Sequence, residues 1–370
     1  MDKHLIFIVV HSLNHNNNNN LLIKVYFVNE NRINDLFKGL NCSIPIWFLR
    51  QAGRHLPEYY NIRKREENFI SFCLNEELVI ESTKLPLKYY DLDAVIIFSD
   101  ILMIPWAMNR NVRFKKNFGP LLDPMTPGET QIDKNVSIEE KLEPLKRSIL
   151  SLRSDLPESK SLIGFAGAPW TLACYMIEGK GSKDFVNARK ALWSSYKWFM
   201  ELIEILSIYI AEKLEIQAKA GADLLMIFDT WSNMIPNNYF EDCAINPIAY
   251  IVKTLRSKNI QVPIIGFPFK AGSSIIKYSY ETQIDCISLD WTVDLNWACK
   301  NINKKIAIQG NLDPASLIPK NSIHLKKNVL SILEILRDRR LIFNVGHGLT
   351  PDCKIDNVKT VIDIVRKHKH

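Results

Sequence analysis

Charged and hydroxyl side chains follow several short apolar runs in this chain. Arg50 comes directly after one such run, Asp100 lies two residues past another, and Thr230 and His347 each lie two residues past two more. A guanidinium group binds carboxylates, whereas a carboxylate stabilises a cation or accepts hydrogen bonds from N–H groups. These residue types, together with a net charge of +7, favour a site for an anionic ligand.

Arg50 and Arg54 are separated by four positions, with Gly53 between them. Because a guanidinium is permanently charged and grips a carboxylate with two parallel hydrogen bonds, the pair predicts a carboxylate clamp. The alternative is a pair of surface arginines held in ordinary ion pairs. The position at the end of an apolar run favours the clamp.

Asp100 lies in the apolar segment FSDIL, and Tyr175 follows the glycine-containing segment GFAGAPWTL. A carboxylate in apolar surroundings is costly unless it has a partner, which here is either an arginine or a ligand with N–H donors. Tyr175 is either a core residue or a polar group of the site. The segment before it is neither a dinucleotide fingerprint nor a phosphate-binding P-loop, so we do not predict a nucleotide site.

Metal, nucleic-acid and membrane functions lack their usual sequence signals. No H-x-C or C-x-x-C motif occurs, and His11 and His15, the two histidines at H-x-x-x-H spacing, lie near the N-terminus. No basic stripe interleaved with aromatic residues is present, and no apolar stretch is long enough to span a bilayer. We therefore expect no metal, no nucleic-acid partner and no membrane span. Seven scattered cysteines favour a reducing compartment.

The apolar runs themselves predict the fold. Continuous apolar runs are typical of parallel strands covered on both faces, and amphipathic, helix-length segments separate these runs. One long segment, Lys183–Ala220, is interrupted near Trp193–Ser195 and predicts two helices. The pattern predicts an α/β fold with a single (β/α)₈ TIM barrel, whose chemistry lies at the C-terminal strand ends. The eight runs are Ile46–Leu49, Ala94–Phe98, Leu162–Ala166, Leu224–Phe228, Ile264–Phe267, Cys286–Leu289, Ile306–Ile308 and Ile342–Val345.

Residues 1–40 differ from the rest, and we assign residues 41–370 to the barrel. The first forty residues hold the apolar run Leu5–Val10, the asparagine tract Asn16–Asn20 and a weakly basic stretch. An asparagine tract cannot bury apolar surface, so we expect a low-complexity extension without strands. It is either a targeting leader, for a plastid-type organelle, or an inert disordered extension of a cytoplasmic protein.

Taken in order, the polar motifs resemble those of the uroporphyrinogen decarboxylase family. The resemblance runs from about Ser43 to the C-terminus, and RQAGR and FSDIL are its most specific parts. His55 and Asn109 depart from it, since the family usually has tyrosine and glycine there. The matching segments are PIWFLRQAGR (45–54), IIFSDIL (96–102), GFAGAPWTL (164–172), LDW (289–291), QGNLDP (309–314) and NVGHG (344–348).

The resemblance implies a homodimeric carboxy-lyase of haem biosynthesis that needs no cofactor. Such an enzyme removes the four acetate carboxyls of uroporphyrinogen III as CO2 and yields coproporphyrinogen III. Asp100 would bind the pyrrole N–H groups, while Arg50 and Arg54 would hold substrate carboxylates, with Arg50 as the favoured proton donor. The resemblance also assigns a catalytic role to Tyr175 and substrate binding to Gln51, Ala52, Arg63, Thr230 and His347.

Two other functions remain as alternatives. A corrinoid-linked methyltransferase of similar fold would need a zinc site, which the absence of H-x-C and the presence of RQAGR oppose. A non-catalytic tetrapyrrole-binding barrel is opposed by the presence of Asp100, Arg50 and Arg54 together.

Overall fold

The central feature of the fold is a parallel sheet that curls into a barrel. A computed structural model describes residues 7–11, 22–26, 31–40, 43–115, 118–128, 136–320 and 323–368. In this part of the chain the strands are β1 (Phe7–His11), β2 (Leu22–Tyr26), β3 (Ala94–Ile96), β4 (Arg113–Lys115), β5 (Gly119–Leu121), β6 (Ser161–Gly167), β7 (Leu224–Asp229), β8 (Ile264–Pro268), β9 (Cys286–Ser288), β10 (Ala307–Leu312) and β11 (Leu341–Val345). Seven of them pair in parallel in the order β11-β10-β9-β8-β7-β6-β3.

The first predicted strand, Ile46–Leu49, closes the barrel, but it pairs with its neighbour through a single bridge. Ile46 pairs in parallel with Phe343 of β11. On its other side the carbonyl of Ile46 accepts a hydrogen bond from the N–H of Asp93, at 2.9 Å. The ladder stays short because Pro45 has no N–H to donate and because the chain turns at Leu49 and Arg50. The prediction of a TIM barrel is confirmed, with its first strand reduced to the seam between β11 and β3.

Helices lie between the strands and cover the sheet. The predicted break near Trp193–Ser195 is confirmed, since one helix ends at Ser194 and the next begins at Tyr196. The helices are α1 (Arg32–Phe37), α2 (Pro57–Arg63), α3 (Phe69–Leu74), α4 (Glu76–Lys84), α5 (Met103–Ala107), α6 (Ile138–Lys141), α7 (Glu143–Asp155), α8 (Pro169–Glu178), α9 (Val186–Ser194), α10 (Tyr196–Lys219), α11 (Asn246–Ser257), α12 (Ser274–Glu281), α13 (Leu295–Asn301), α14 (Ile323–Ile335) and α15 (Ile355–Lys367). A π-helical turn, Glu241–Ile245, precedes α11.

Helix α1 belongs to the packed body, although the sequence placed it in the extension. Ile33 is fully buried and Leu36 nearly so. Arg32 forms an ion pair with the buried carboxylate of Asp93 at 2.6 Å. Arg366 of α15 binds the other carboxylate oxygen of Asp93 at 2.9 Å. Residues 31–40 therefore pack on the N-terminal end of the barrel, where the residue types alone gave no apolar periodicity long enough to reveal them.

The region before α1 contains a two-stranded antiparallel hairpin. Strand β1 pairs with β2 in a register that joins Phe7 to Tyr26 and His11 to Leu22. The expectation of an extension without strands was therefore wrong at these ten residues. The asparagine tract itself lies outside the described residues.

The strands of the barrel are buried along most of their length, as continuous apolar runs require. Every residue of β6, β8, β10 and β11 is buried. Within the described ranges, no helix combines the length and the apolar character that a membrane span needs.

Candidate active site

Arg50 is the first polar residue after the seam strand, and the backbone there is unusual. Its φ angle is 55°, in the left-handed region, so the chain turns sharply and presents Arg50 at the exposed strand end. The neighbouring loop fixes this turn, because Leu49 donates to the Asn344 side chain at 3.0 Å and accepts from the N–H of Leu349 at 2.9 Å. Gly348 leaves room for the aliphatic part of Arg50.

Asp100 lies just beyond β3, and its carboxylate closes a turn. Its Oδ1 accepts a hydrogen bond from the N–H of Leu102 at 2.8 Å. Burial raises the pKa of Asp100, whereas the Leu102 N–H and the positive charges of Lys213 and Arg50 act in the opposite direction. The carboxyl therefore lies between an apolar wall, which favours the neutral acid, and two cations, which favour the carboxylate.

Tyr175 and His347 complete the centre of the site. Tyr175 lies on α8, and burial raises the pKa of its phenol. The His347 ring packs on Phe269 with centroids 4.7 Å apart. Burial, followed by the charges of Arg50 and Lys270, lowers the pKa of His347 to about 4. At neutral pH His347 is therefore an uncharged imidazole, which can exchange hydrogen bonds but adds no positive charge.

Thr230 is held at the end of β7 by a hydrogen-bonded group beneath it. The Thr171 hydroxyl donates to Asp229 Oδ1 at 2.6 Å and accepts from the N–H of Trp231 at 3.1 Å. Asp229 is fully buried, and this burial raises its pKa to about 7. Because the residues on both sides are fixed, the half-buried Thr230 has a defined place at the strand end.

The remaining residues of the RQAGR motif have different surroundings. Gln51 is fully buried, and its amide donates to the Ala94 carbonyl at 3.3 Å and accepts from the Phe48 N–H at 3.3 Å. Its side chain thus joins the seam to β3. Ala52 is half-buried in the turn, and Arg54 is exposed.

Arg63 lies at the C-terminal end of α2 and is already engaged by the protein. Its guanidinium donates to the carbonyl of Glu66 and to that of Glu67, the latter at 2.9 Å. It also lies 5.3 Å from the ring centroid of Phe69 and 5.4 Å from that of Phe72. Arg63 therefore shapes the loop between α2 and α3.

The charge of Arg50 acts on three other predicted site residues. Burial is the main influence on the pKa of Asp100, Tyr175 and His347, and the charge of Arg50 acts on all three. The charges of Arg54 and Arg63 act on Tyr59 instead. The structure thus brings Arg50, Asp100, Tyr175 and His347 together at the C-terminal strand ends and places Arg54 and Arg63 to one side.

Two lysines near this centre were not predicted. Lys270 follows β8 at a φ of 56°, and its backbone N–H donates to Asp290 Oδ2 at 2.9 Å. Its position two residues past a strand end is a signal that could have found it. Lys213 lies in the middle of α10 and is almost fully buried, and nothing in the helical pattern distinguishes it from an exposed lysine.

The polar residues do not assemble into a metal centre within the described ranges. No three side chains of histidine, cysteine, aspartate or glutamate lie close enough together there to hold a metal ion.

Comparison with known proteins identifies the family. The profile of uroporphyrinogen decarboxylase (URO-D) matches residues 31–368. The chain belongs to the uroporphyrinogen decarboxylase family. The match begins at the first residue before α1, in agreement with the packing of that helix. The resemblance inferred from the motifs is therefore confirmed.

Members of the uroporphyrinogen decarboxylase family from several organisms are similar over almost their whole length. The protein named uroporphyrinogen decarboxylase from Chelativorans sp. (strain BNC1) is 41% identical over 324 residues, which is 87% of this chain and 94% of that protein. The one from Rickettsia africae (strain ESF-5) is 39% identical over 336 residues, 90% of this chain and 95% of that protein.

A solved structure supports the fold. A methyltransferase from Methanosarcina mazei superposes with a TM-score of 0.74 and 14% identity, covering 90% of this chain and 97% of that one. At this identity the likeness concerns the barrel architecture alone.

Proposed function

We propose that this chain is a carboxy-lyase that converts uroporphyrinogen III into coproporphyrinogen III and CO2. The observation that carries the proposal is the grouping of Arg50, Asp100, Tyr175 and His347 at the C-terminal strand ends of a barrel from the decarboxylase family. The substrate carries eight carboxylates around four pyrrole N–H groups. Its centre therefore needs an acceptor and its rim needs cations.

Asp100 is the acceptor in this proposal. A proton first adds to a carbon of the pyrrole ring, and the ring then takes up the electron pair of the breaking C–C bond as CO2 leaves. A second proton adds to the side-chain carbon, and the ring carbon gives up its proton to restore the neutral pyrrole. The protonated ring is a cation, and a carboxylate fixed in advance stabilises it as it forms. The hydrogen bond from Leu102 fixes Asp100 Oδ1, and the half-buried position leaves the group accessible to a ligand.

Arg50, Arg54 and Lys270 provide the cations of the rim. Arg50 is exposed at the strand end and Arg54 is exposed in the turn beside it, where both can bind acetate or propionate carboxylates. The family resemblance favours Arg50 as proton donor, although the very high pKa of a guanidinium makes it a weak acid. We therefore assign Arg50 first to binding and second to proton transfer.

The remaining contacts are proposed as neutral ones. His347, which is uncharged at neutral pH, and Thr230 would donate hydrogen bonds to acidic side arms, and Tyr175 would line the cleft next to Asp100. Gln51 and Arg63 would act through the loops that they hold, and Ala52 through its backbone in the turn.

Turnover of uroporphyrinogen by the purified chain tests the proposal. Chromatography of the oxidised products should show intermediates with seven, six and five carboxyls, followed by coproporphyrin. Binding without product would favour a tetrapyrrole-binding barrel. Stoichiometric zinc in the protein, without decarboxylation, would favour the methyltransferase-like alternative.

The oligomeric state and the location are further parts of the proposal. The family resemblance supports a homodimer, and sedimentation equilibrium should give twice the chain mass of 42.7 kDa. The relatives named above come from bacteria, which supports the cytoplasmic alternative over a plastid-type organelle. A fluorescent reporter fused after residue 40 would remain diffuse in the cytoplasm in the first case and enter the organelle in the second.

A further inference from the structure

A lysine lies buried behind the candidate active site. Lys213, on α10, is only 1% exposed. Its Nζ donates a hydrogen bond to the backbone carbonyl of Asp100 at 3.4 Å and lies 5.2 Å from the centroid of the Phe165 ring. No carboxylate of the described residues lies within ion-pair distance of this Nζ. The ammonium is therefore directed at the turn that carries Asp100.

The place of Lys213 is fixed by the next turn of the same helix. Gln217 accepts a hydrogen bond from the N–H of Phe165 at 2.7 Å and donates to the carbonyl of Phe165 at 2.9 Å. These two bonds attach α10 to β6, so that the residue four positions earlier points into the space between β6 and the Asp100 turn. Gly164 leaves room for this attachment, since a Cβ there would lie 2.7 Å from Gln217 Oε1.

Burying the ammonium group of Lys213 costs free energy of folding, which indicates that the charge has a specific role. Burial lowers the pKa of Lys213 to about 8, while Asp100 and the buried thiol of Cys73 act in the opposite direction. Lys213 therefore remains mostly protonated at pH 7. Two cations then act on Asp100, Arg50 from the strand end and Lys213 from behind the Asp100 turn.

We propose that Lys213 is a positioning residue for Asp100, which holds the Asp100 turn through its backbone carbonyl and supplies positive charge behind the carboxylate. This inference rests on the proposed decarboxylase function, in which Asp100 must be ionised to stabilise a cationic ring. Without Lys213 the apolar surroundings favour the neutral acid at Asp100, and the reaction loses its counter-charge.

Lys213→Met removes the charge and keeps the length of the side chain. Lys219→Met is the matched control, because Lys219 lies on the same helix with its side chain 63% exposed. In Lys213→Met we expect kcat to fall about tenfold with less than about a threefold change in KM, and the acidic limb of the pH profile to move up by about one pH unit. The thermal midpoint should not fall, because an apolar side chain replaces a buried charge.

The kinetics of the variant and a carboxyl titration decide the inference. Wild-type kcat and an unshifted acidic limb in folded Lys213→Met would overturn it. The carbon-13 signal of the Asp100 carboxyl can be assigned because it is absent from the spectrum of Asp100→Asn. This signal should titrate at higher pH in Lys213→Met than in Lys219→Met. Titration at the same pH in both variants would overturn the inference. If the wild-type protein does not decarboxylate uroporphyrinogen, the proposed function fails, and the carboxyl titration still decides whether Lys213 controls Asp100.

Discussion

The side chain of Arg50 lies directly on Gly348. A Cβ atom at position 348 would stand 2.2 Å from Arg50 Cδ and 2.5 Å from its Cγ. The motif Gly346-His347-Gly348 therefore has a second role besides presenting an imidazole. Its last glycine leaves the space that the Arg50 side chain occupies. Gly346 has a similar reason to lack a side chain, since a Cβ there would lie 2.4 Å from the N–H nitrogen of Trp291.

Gly348→Ala should displace Arg50 and leave the barrel folded. We expect kcat/KM for uroporphyrinogen to fall at least about tenfold, while the free energy of unfolding changes by less than about 1.5 kcal/mol. Gly181→Ala is the control, because no atom lies within 4 Å of a Cβ at that position. Equal activity of the two variants would show that the contact does not matter for substrate binding.

Asp100→Asn should remove most of the activity without unfolding the protein. The amide keeps the size of the side chain but cannot neutralise a cationic ring, so kcat should fall by about 10² or more. Because burial raises the pKa of Asp100, the loss of its charge should not lower the thermal midpoint. Asp338→Asn, whose carboxylate is 84% exposed, should behave as wild type, and a near-normal rate in Asp100→Asn would refute the central role of Asp100.

Truncation should distinguish the first thirty residues from the following ten. Deleting residues 1–40 removes the buried Ile33 and Leu36, each worth about 1.5–3 kcal/mol, and removes the Arg32 partner of Asp93. We therefore expect thermal denaturation to show a much lower midpoint. Deleting residues 1–30 should leave the midpoint and activity unchanged, since the family match begins at residue 31. Equal midpoints for the two deletions would contradict the packing of α1.

Acid should destabilise the protein through two buried imidazoles. Burial lowers the pKa of His55 and of His347 to about 4, whereas an unfolded histidine titrates near 6.5. Between these values the unfolded chain binds more protons, so the free energy of unfolding should decrease as the pH falls from about 6.5 to about 4.

The contribution of His55 can be separated by substitution. His55 stacks on Tyr90, and its Nε2 has no hydrogen-bond partner within the described structure, so phenylalanine can take its place. Urea denaturation of His55→Phe at pH 7 and pH 5 should show a smaller loss of stability than in wild type. An unchanged loss would mean that the pKa of His55 is the same in the folded protein and in the unfolded chain.

The sequence revealed the barrel because buried parallel strands leave continuous apolar runs. Seven of the eight runs form regular strands, and the eighth is the bridge at Ile46. Helix α1 escaped notice because six residues next to a low-complexity tract show too little periodicity. Asn109 was noted as a departure from the family's glycine, and its φ of 63° shows that asparagine keeps the left-handed conformation there.

The site was predictable where a strand end decides the direction of a side chain. Arg50, Asp100, Thr230 and His347 follow strands, and the ends of parallel strands meet at one edge. Gln51 differs, because the left-handed turn at Arg50 directs the Gln51 side chain between the seam and β3. A left-handed turn at a residue other than glycine cannot be recognised from the sequence. Lys213 was not predictable, since only the packing of α10 on β6 determines that it points inward.

The seam of the barrel has a consequence for the placement of Arg50. Strands β10 and β11 are joined at five paired positions, whereas the segment that leads into Arg50 forms one bridge to β11, at Ile46. Side chains of other strands and loops hold the rest of it. Asp93 accepts from the Ile46 N–H at 2.7 Å, Gln309 accepts from the Trp47 indole at 2.9 Å, and Asn344 accepts from the Leu49 N–H at 3.0 Å. A ladder of backbone groups survives most substitutions, whereas this attachment depends on the identity of three side chains. The placement of Arg50 thus depends on Asp93, Gln309 and Asn344, residues that lie far from it in the sequence.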